Sequence, residues 1–244
     1  MALCCHNGEF LLDSTLRLDA ADRGLTLGDG VFDTQLFIDG ALADGEAHFS
    51  RLLRHAASIH LTVPWSVADL SIFAMQLSTT DAVIRTQLTR GSGPRGLTLP
   101  EKTSPTLIMR ALPRPPPRSA PLLMISPIRR NETSPLSRIK ATQYLDAIIA
   151  LMGAQDAGCD DAIFLNTHGH VTCTTTANLF IVKDGVWSTA PLEDGVLDGI
   201  TRARIITERA AQVRTITIGC LHAADELWLT NSVTGAVKAA GLQA

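Results

Sequence analysis

The stretch RIKATQYLDAIIA, Arg138 to Ala150, places one lysine after a predicted strand over Leu122–Ser126 and ahead of a predicted helix over Gln143–Gly158 that glycine closes. Lys140 follows Pro135–Ile139 at the expected end of a strand and leads directly into the apolar helix. The chain has only four lysines among its 21 basic residues. Lys102 lies in a PEKTSP loop, Lys183 in a hairpin turn and Lys238 near the end. Lys140 alone stands where an amine could be desolvated and kept neutral and nucleophilic, as a Schiff base requires. Read by itself, the segment leaves a salt-bridged structural lysine as the commoner alternative.

Upstream, VFDTQLFI (Val31–Ile38) predicts a strand, Asp39-Gly40 a turn, and HFSRLLRHAASIHL (His48–Leu61) a helix. A second helix is expected over Val67–Leu77, and strands over Ala82–Arg90 and Thr106–Leu112. Hairpins and helices are mixed rather than alternating, which is an α+β pattern. Downstream, Ala162–Asn166 and His170–Cys173 predict strands around a turn at His168-Gly169. Asn178–Val182 then leads into a turn at Lys183–Gly185. Between the halves, LPRPPPRSAP (Leu112–Pro121) lacks backbone donors at Pro115, Pro116 and Pro117. It reads as a stiff connector, with a proline-rich partner ligand as the alternative.

Composition narrows the function. The 244 residues suffice for two cored domains, and 45% hydrophobic with 18% charged residues is the balance of a globular enzyme. A net charge of -3 with no basic run longer than Arg129-Arg130 argues against nucleic acid. No apolar stretch reaches the ~20 residues of a membrane span, and the start MALCCHNGEFLL lacks a basic n-region, so the expected location is the cytosol. Cys4, Cys5, Cys159, Cys173 and Cys220 are odd in number and lack CxxC spacing, so neither a disulfide framework nor a zinc site is indicated.

Two segments could bind anions. Gly199-Ile200-Thr201 falls where a helix begins, and its amides suit a phosphate, although glycine and threonine also open helices for capping alone. TRGSGPRG (Thr89–Gly96) carries Arg90 and Arg95 in a glycine-rich loop whose guanidinium forks could hold a carboxylate or phosphate. A solvated surface loop is the alternative there.

Taken in order, DRGLTLGDGVFDT (Asp22–Thr34), HFSRLLRHA (His48–Ala56), TRGSGPRG, RIKATQYLDAIIA, DDAIFLNTHGHVTCTTTANLFIV (Asp160–Val182), LDGITR (Leu197–Arg202) and ADELWLTNS (Ala224–Ser232) resemble the class IV aminotransferases. That group includes D-amino acid and branched-chain aminotransferases and aminodeoxychorismate lyase, and the likeness covers nearly the whole chain. It implies a two-domain fold type IV enzyme: a small N-terminal α/β domain (1–112), a linker (113–121) and a larger C-terminal mixed β/α domain (122–244), with pyridoxal 5'-phosphate between them. It also implies a homodimer, no metal, and a small amino donor and oxo-acid acceptor as substrates.

By the resemblance, Lys140 forms the Schiff base and shuttles the proton. Arg51 holds the cofactor phosphate, Ile200 and Thr201 supply donors to it, and Asn231 and Ser232 add more. Cys173 and Asn178 are further cofactor contacts, while Phe32 and Arg95 face the substrate. Two positions depart from the pattern. Leu97 stands where D-amino acid enzymes carry a histidine, which puts a D-amino acid carboxylate site in doubt. Cys173 stands where relatives carry a glutamate facing the pyridine nitrogen, so slow transamination is expected. Elimination of pyruvate from aminodeoxychorismate is the second reading, and a cofactor-binding protein with impaired catalysis the third. The sequence closes at Gly241–Ala244, soon after the TNS motif, and a C-terminal element of relatives is expected to be short or missing.

Overall fold

The computed structural model describes residues 2–116 and 119–243. Pro117 and Arg118, within the expected connector, lie outside the described residues. The chain divides into two compact units, Met1–Arg114 with Lys140–Gln143, and Pro115–Ile139 with Tyr144–Ala244.

In the first unit β1 (Leu3–His6), β2 (Glu9–Leu12), α1 (Arg23–Leu27), β3 (Gly30–Ile38), β4 (Ala41–Leu42), α2 (Gly45–Ser58), α3 (Val67–Met75), β5 (Ala82–Thr89) and β6 (Thr106–Leu112) build an antiparallel sheet ordered β2-β1-β6-β5-β3-β4. β3 is rich in valine, phenylalanine and leucine and is nearly continuously buried. The two residues that turn it into β4 are Asp39 and Gly40, at φ 51° and 76°, the left-handed pair that a tight hairpin demands. α2 lays Phe49, Leu52 and Ala56 into the core. Ser66 and Asp69 close a reciprocal capping box that starts α3.

The second unit contains β7 (Leu122–Arg130), α4 (Leu145–Asp156), β8 (Asp161–Asn166), β9 (Val171–Thr174), β10 (Asn178–Lys183), β11 (Val186–Thr189), α5 (Ile200–Arg209), β12 (Gln212–Val213), α6 (Ile218–His222), β13 (Glu226–Asn231), β14 (Gly235–Lys238) and β15 (Gly241–Leu242). Its sheet runs β12-β11-β10-β9-β8-β7-β15, with β13 pairing β10 and β14. Leu123, Ile163, Val171, Leu179, Ile181 and Leu229 belong to one buried cluster of this unit. No helix among the described residues is long and apolar enough to cross a membrane. The five cysteines are free.

The surroundings of Lys140 differ from the sequence expectation. β7 continues four residues past Ser126 to Arg130, and Lys140 lies at no strand end. α4 begins at Leu145, so the lysine does not lead straight into it. Residues 140–143 are non-helical instead, because β3 pairs with the Lys140 carbonyl and the Thr142 N–H before the helix can start.

Candidate active site

In the first unit the segment Lys140–Gln143 meets the edge of β3 through a single β-bridge, Ala141 to Val31. Phe32 N–H donates to the Lys140 carbonyl at 2.9 Å and Thr142 N–H to the Gly30 carbonyl at 3.0 Å. The Thr142 hydroxyl donates to the Gly28 carbonyl at 2.7 Å. This edge is open to the segment because β4 pairs only with Phe37 and Ile38. Gly28 ends α1 at φ 66°, and a Cβ there would come within 2.6 Å of Gln143 Cγ. The glycine thus serves both a left-handed turn and the close passage of the lysine-bearing segment.

The Lys140 ammonium stands 4.1 Å from the centroid of the Phe32 ring, and the guanidinium carbon of Arg85 stands 4.0 Å from the same centroid. Both distances are within cation–π range. Phe32 is opposite Gln87 and Thr34 opposite Arg85 across β3 and β5, which puts Phe32 and Arg85 on one face of the sheet. An amine and a guanidinium gathered at one aromatic ring suit a substrate that carries a carboxylate beside its reacting group. The other three lysines are differently placed: Lys183 pairs with Asp225 at 2.9 Å, Lys238 with Glu226 at 2.6 Å, and Lys102 is exposed.

On the opposite face of β3, Asp33 is 2% exposed and accepts from Arg51 Nε at 2.9 Å and Arg51 Nη2 at 2.8 Å, with His48 Nδ1 at 2.8 Å. Burial alone would raise its pKa, but the bonds from His48 and Arg51 and the arginine charge outweigh it and hold the carboxyl far below its ordinary range. Arg51 is therefore a buried residue oriented by Asp33, and a guanidinium has five N–H donors, more than this fork uses.

The sequence alone singles out neither Asp33 nor His48, although both lie inside quoted motifs; the one signal it offers is an acid in the middle of an otherwise apolar strand. Nor does it single out Arg85, since an arginine within a strand does not disclose which ring it will meet.

The loop after β5 separates its two arginines. Arg90, 2% exposed, bonds Asp29 through Nε at 2.8 Å and Nη2 at 3.0 Å and donates to the carbonyls of Ile59 and His60 beyond the end of α2. It is a structural clamp, which removes the reading of Arg90 as a fork for an outside anion. Arg23 also bonds Asp29 and reaches the Gly96 carbonyl at 3.0 Å. Arg95 itself is exposed on this loop, and Leu97 is 81% exposed.

In the second unit α5 opens at Gly199 without a side-chain cap. A Cβ on Gly199 would collide with Asn178 Oδ1, whose Nδ2 donates to the Leu197 carbonyl at 2.9 Å. Asn178 thus shapes the turn before the helix. Thr201 is buried. Thr230, opposite Asn178 in the β10–β13 register, has a buried hydroxyl with no hydrogen-bond partner among the described residues. Asn231 Oδ1 accepts from Val233 N–H, Thr234 N–H and the Thr234 hydroxyl, closing the turn from β13 to β14, with Ser232 half-buried within it. Cys173 is buried among Phe164, Ala162, Ala190 and Val196. The Asp161 carboxylate in the same unit accepts from Ala162 N–H and from Thr175 through both N–H and hydroxyl.

The profile of the Amino-transferase class IV family matches residues 30–241. The chain belongs to the class IV aminotransferases. A Methanocaldococcus jannaschii protein assigned to the branched-chain-amino-acid aminotransferases is 32% identical over 93% of this chain and 83% of its own length. A D-alanine aminotransferase of Bacillus licheniformis is 28% identical over the same shares. The solved structure of 4-amino-4-deoxychorismate lyase from Pseudomonas aeruginosa superposes with a TM-score of 0.87 at 27% identity, over 99% of this chain and 92% of its own.

Class IV aminotransferases are pyridoxal-phosphate enzymes that act on amino acids and oxo acids, and the donor sets of this chain fit that cofactor. Within the second unit the start of α5 presents amides without a capping side chain, and the orphaned Thr230 hydroxyl is adjacent in chain to Asn231; within the first unit, taken by itself, Lys140 supplies an amine beside an aromatic face.

Proposed function

We propose that this class IV aminotransferase moves an amino group between an amino acid and a 2-oxo acid, with Lys140 as the amine that bonds to pyridoxal phosphate and carries the proton at the reacting carbon. One observation supports this most: Lys140 is held by its main chain to β3, with its ammonium over Phe32. When bound, the cofactor supplies an electron sink for the substrate carbon. The amides of Ile200 and Thr201 at the start of α5 would hold its phosphate, with further donors from the Asn231–Ser232 turn. Arg51 would add a phosphate contact by the family resemblance, oriented by Asp33. Asn178 supports the turn at Gly199, and Cys173 would offer the ring nitrogen only a weak hydrogen-bond partner.

Phe32 walls the reacting amine, and a substrate carboxylate is taken by Arg85, with Arg95 as a second arginine on its loop. The working form is a cytosolic homodimer of two-domain subunits. Leu145, Ile148, Ile149 and Met152 of α4, each about half exposed or more, supply an apolar stripe suited to a second copy.

Borohydride reduction of the purified protein followed by peptide mass spectrometry tests the central assignment. The cofactor adduct is expected on Lys140, and Lys140→Ala is expected to lose both adduct and turnover. An adduct on Lys102, Lys183 or Lys238 refutes it. Incubation with aminodeoxychorismate separates the second reading, since release of 4-aminobenzoate without transamination of any amino acid would make the enzyme a lyase.

A further inference from the structure

The carbonyl of Lys140 is secured by Phe32, and its own N–H is secured by a side chain. It donates to His55 Nδ1 at 3.2 Å. His55 occupies the last turn of α2 and is 5% exposed. Imidazole accepts at Nδ1 only when that nitrogen keeps its lone pair, so the ring is neutral with its proton on Nε2. A positively charged ring would turn an N–H toward an N–H and break the contact. The groups facing His55 favour the neutral form. Arg51 and Arg54 come from its own helix, Lys140 from the segment bridged to β3, and Asp33 from β3 is the one acid. Burial first, then the arginine and lysine charges, bring the pKa down to about 4 against the opposing pull of Asp33.

We infer that His55 is a positioning residue for Lys140, its neutral imidazole fixing the lysine main chain so that the amine is held over Phe32. The inference rests on the reading of Lys140 as the cofactor-bearing amine. The lysine is anchored on both sides of its peptide, by β3 on the carbonyl side and by α2 on the amide side. Loss of the amide anchor leaves one side only, and the side chain then samples positions away from the ring.

Two substitutions separate this role from a general structural one. His55→Asn sets an amide oxygen near the place of Nδ1 and does not titrate. His55→Leu fills the space and accepts nothing. Three readouts apply to the holoenzymes: the site of borohydride fixation, the amide exchange rate of Lys140, and the pH dependence of kcat and of the visible cofactor band.

In the native protein the Lys140 amide is expected to be protected at pH 7, with an acid limb in kcat and band position near pH 4. His55→Asn should keep the protection and most of kcat while losing that limb. His55→Leu should expose the amide and lower kcat about tenfold or more with KM little changed, since a small misplacement of a reacting group carries penalties of that order. Native-like amide protection and kcat in His55→Leu would overturn the inference, as would an unchanged acid limb in His55→Asn or an Asn variant as impaired as Leu. If His55→Leu fails to fold, the Asn variant still decides the matter through the acid limb and the amide protection. Adduct formation on a lysine other than Lys140 in the native protein would refute the underlying reading instead, so the two failures are distinguishable.

Discussion

Asp33→Ala is the most demanding test of how this site is supported. The substitution removes a carboxylate that is 2% exposed and leaves the 4% exposed guanidinium of Arg51 without its acceptor. Two charge-assisted bonds from Arg51, at 2.8 and 2.9 Å, are lost, each of about 1.5–3 kcal/mol, with the His48 bond in addition. Removing one partner of a buried ion pair costs ~3–5 kcal/mol, the low end of that sum, because the remaining groups relax. The first unit should therefore be strongly destabilised, since whole domains are stable by only about 5–15 kcal/mol.

The sign with pH follows from the depressed carboxyl. Its contribution is fully present above the unfolded value of about 3.9 and is lost as pH falls toward the folded value. The difference between native and variant is thus expected to be constant from pH 5 to 8 and to shrink below pH 4. Asp33→Leu combined with Arg51→Met should recover most of the stability, because replacing both members of a buried pair with apolar groups is often neutral. The double variant should still bind pyridoxal phosphate weakly if Arg51 contacts the phosphate. Urea denaturation across pH, with cofactor titration of each variant, provides the measurements. A loss below 1 kcal/mol in Asp33→Ala, or native cofactor affinity in the double variant, would refute the reasoning.

Arg85→Met should raise KM for carboxylate-bearing substrates roughly tenfold or more and spare small neutral amines, and steady-state kinetics with both donor types will detect it. Arg95→Ala should act in the same direction if its loop reaches the substrate; equal losses for acids and neutral amines would make Arg95 a loop residue only. Native turnover is expected to be slow because the Cys173 thiol is a weak partner for a ring nitrogen. Cys173→Glu sets a carboxylate among Phe164, Ala162, Ala190 and Val196, so the cofactor-free variant should be destabilised by several kcal/mol and should regain more stability on binding pyridoxal phosphate than the native protein does. Equal gains in thermal shift would mean that residue 173 does not meet the ring.

Local chemistry made much of this protein legible from its residues in order. The apolar run with its Asp39-Gly40 turn specified β3 and its hairpin, because both turn residues must adopt positive φ. The spacing of Phe49, Leu52 and Ala56 specified the inner face of α2, and glycine at 199 marked the start of α5. These are decisions within a few residues, where backbone sterics and periodicity suffice. Seven motifs in succession also carried the family.

Long-range pairing decided the rest. Residues 140–143 carry no strand signal of their own, and Ala141 bridges β3 because an open edge of that strand, more than a hundred residues earlier in the chain, pairs with the Lys140 carbonyl and the Thr142 N–H. Arg90 and Arg95 are five residues apart and equivalent in composition, yet Asp29 buries one and leaves the other in solvent. Asp33, His48, His55 and Arg85 acquire their meaning only when β3, α2 and β5 pack, since a buried charge is defined by the partners that the fold brings to it and not by its neighbours in sequence.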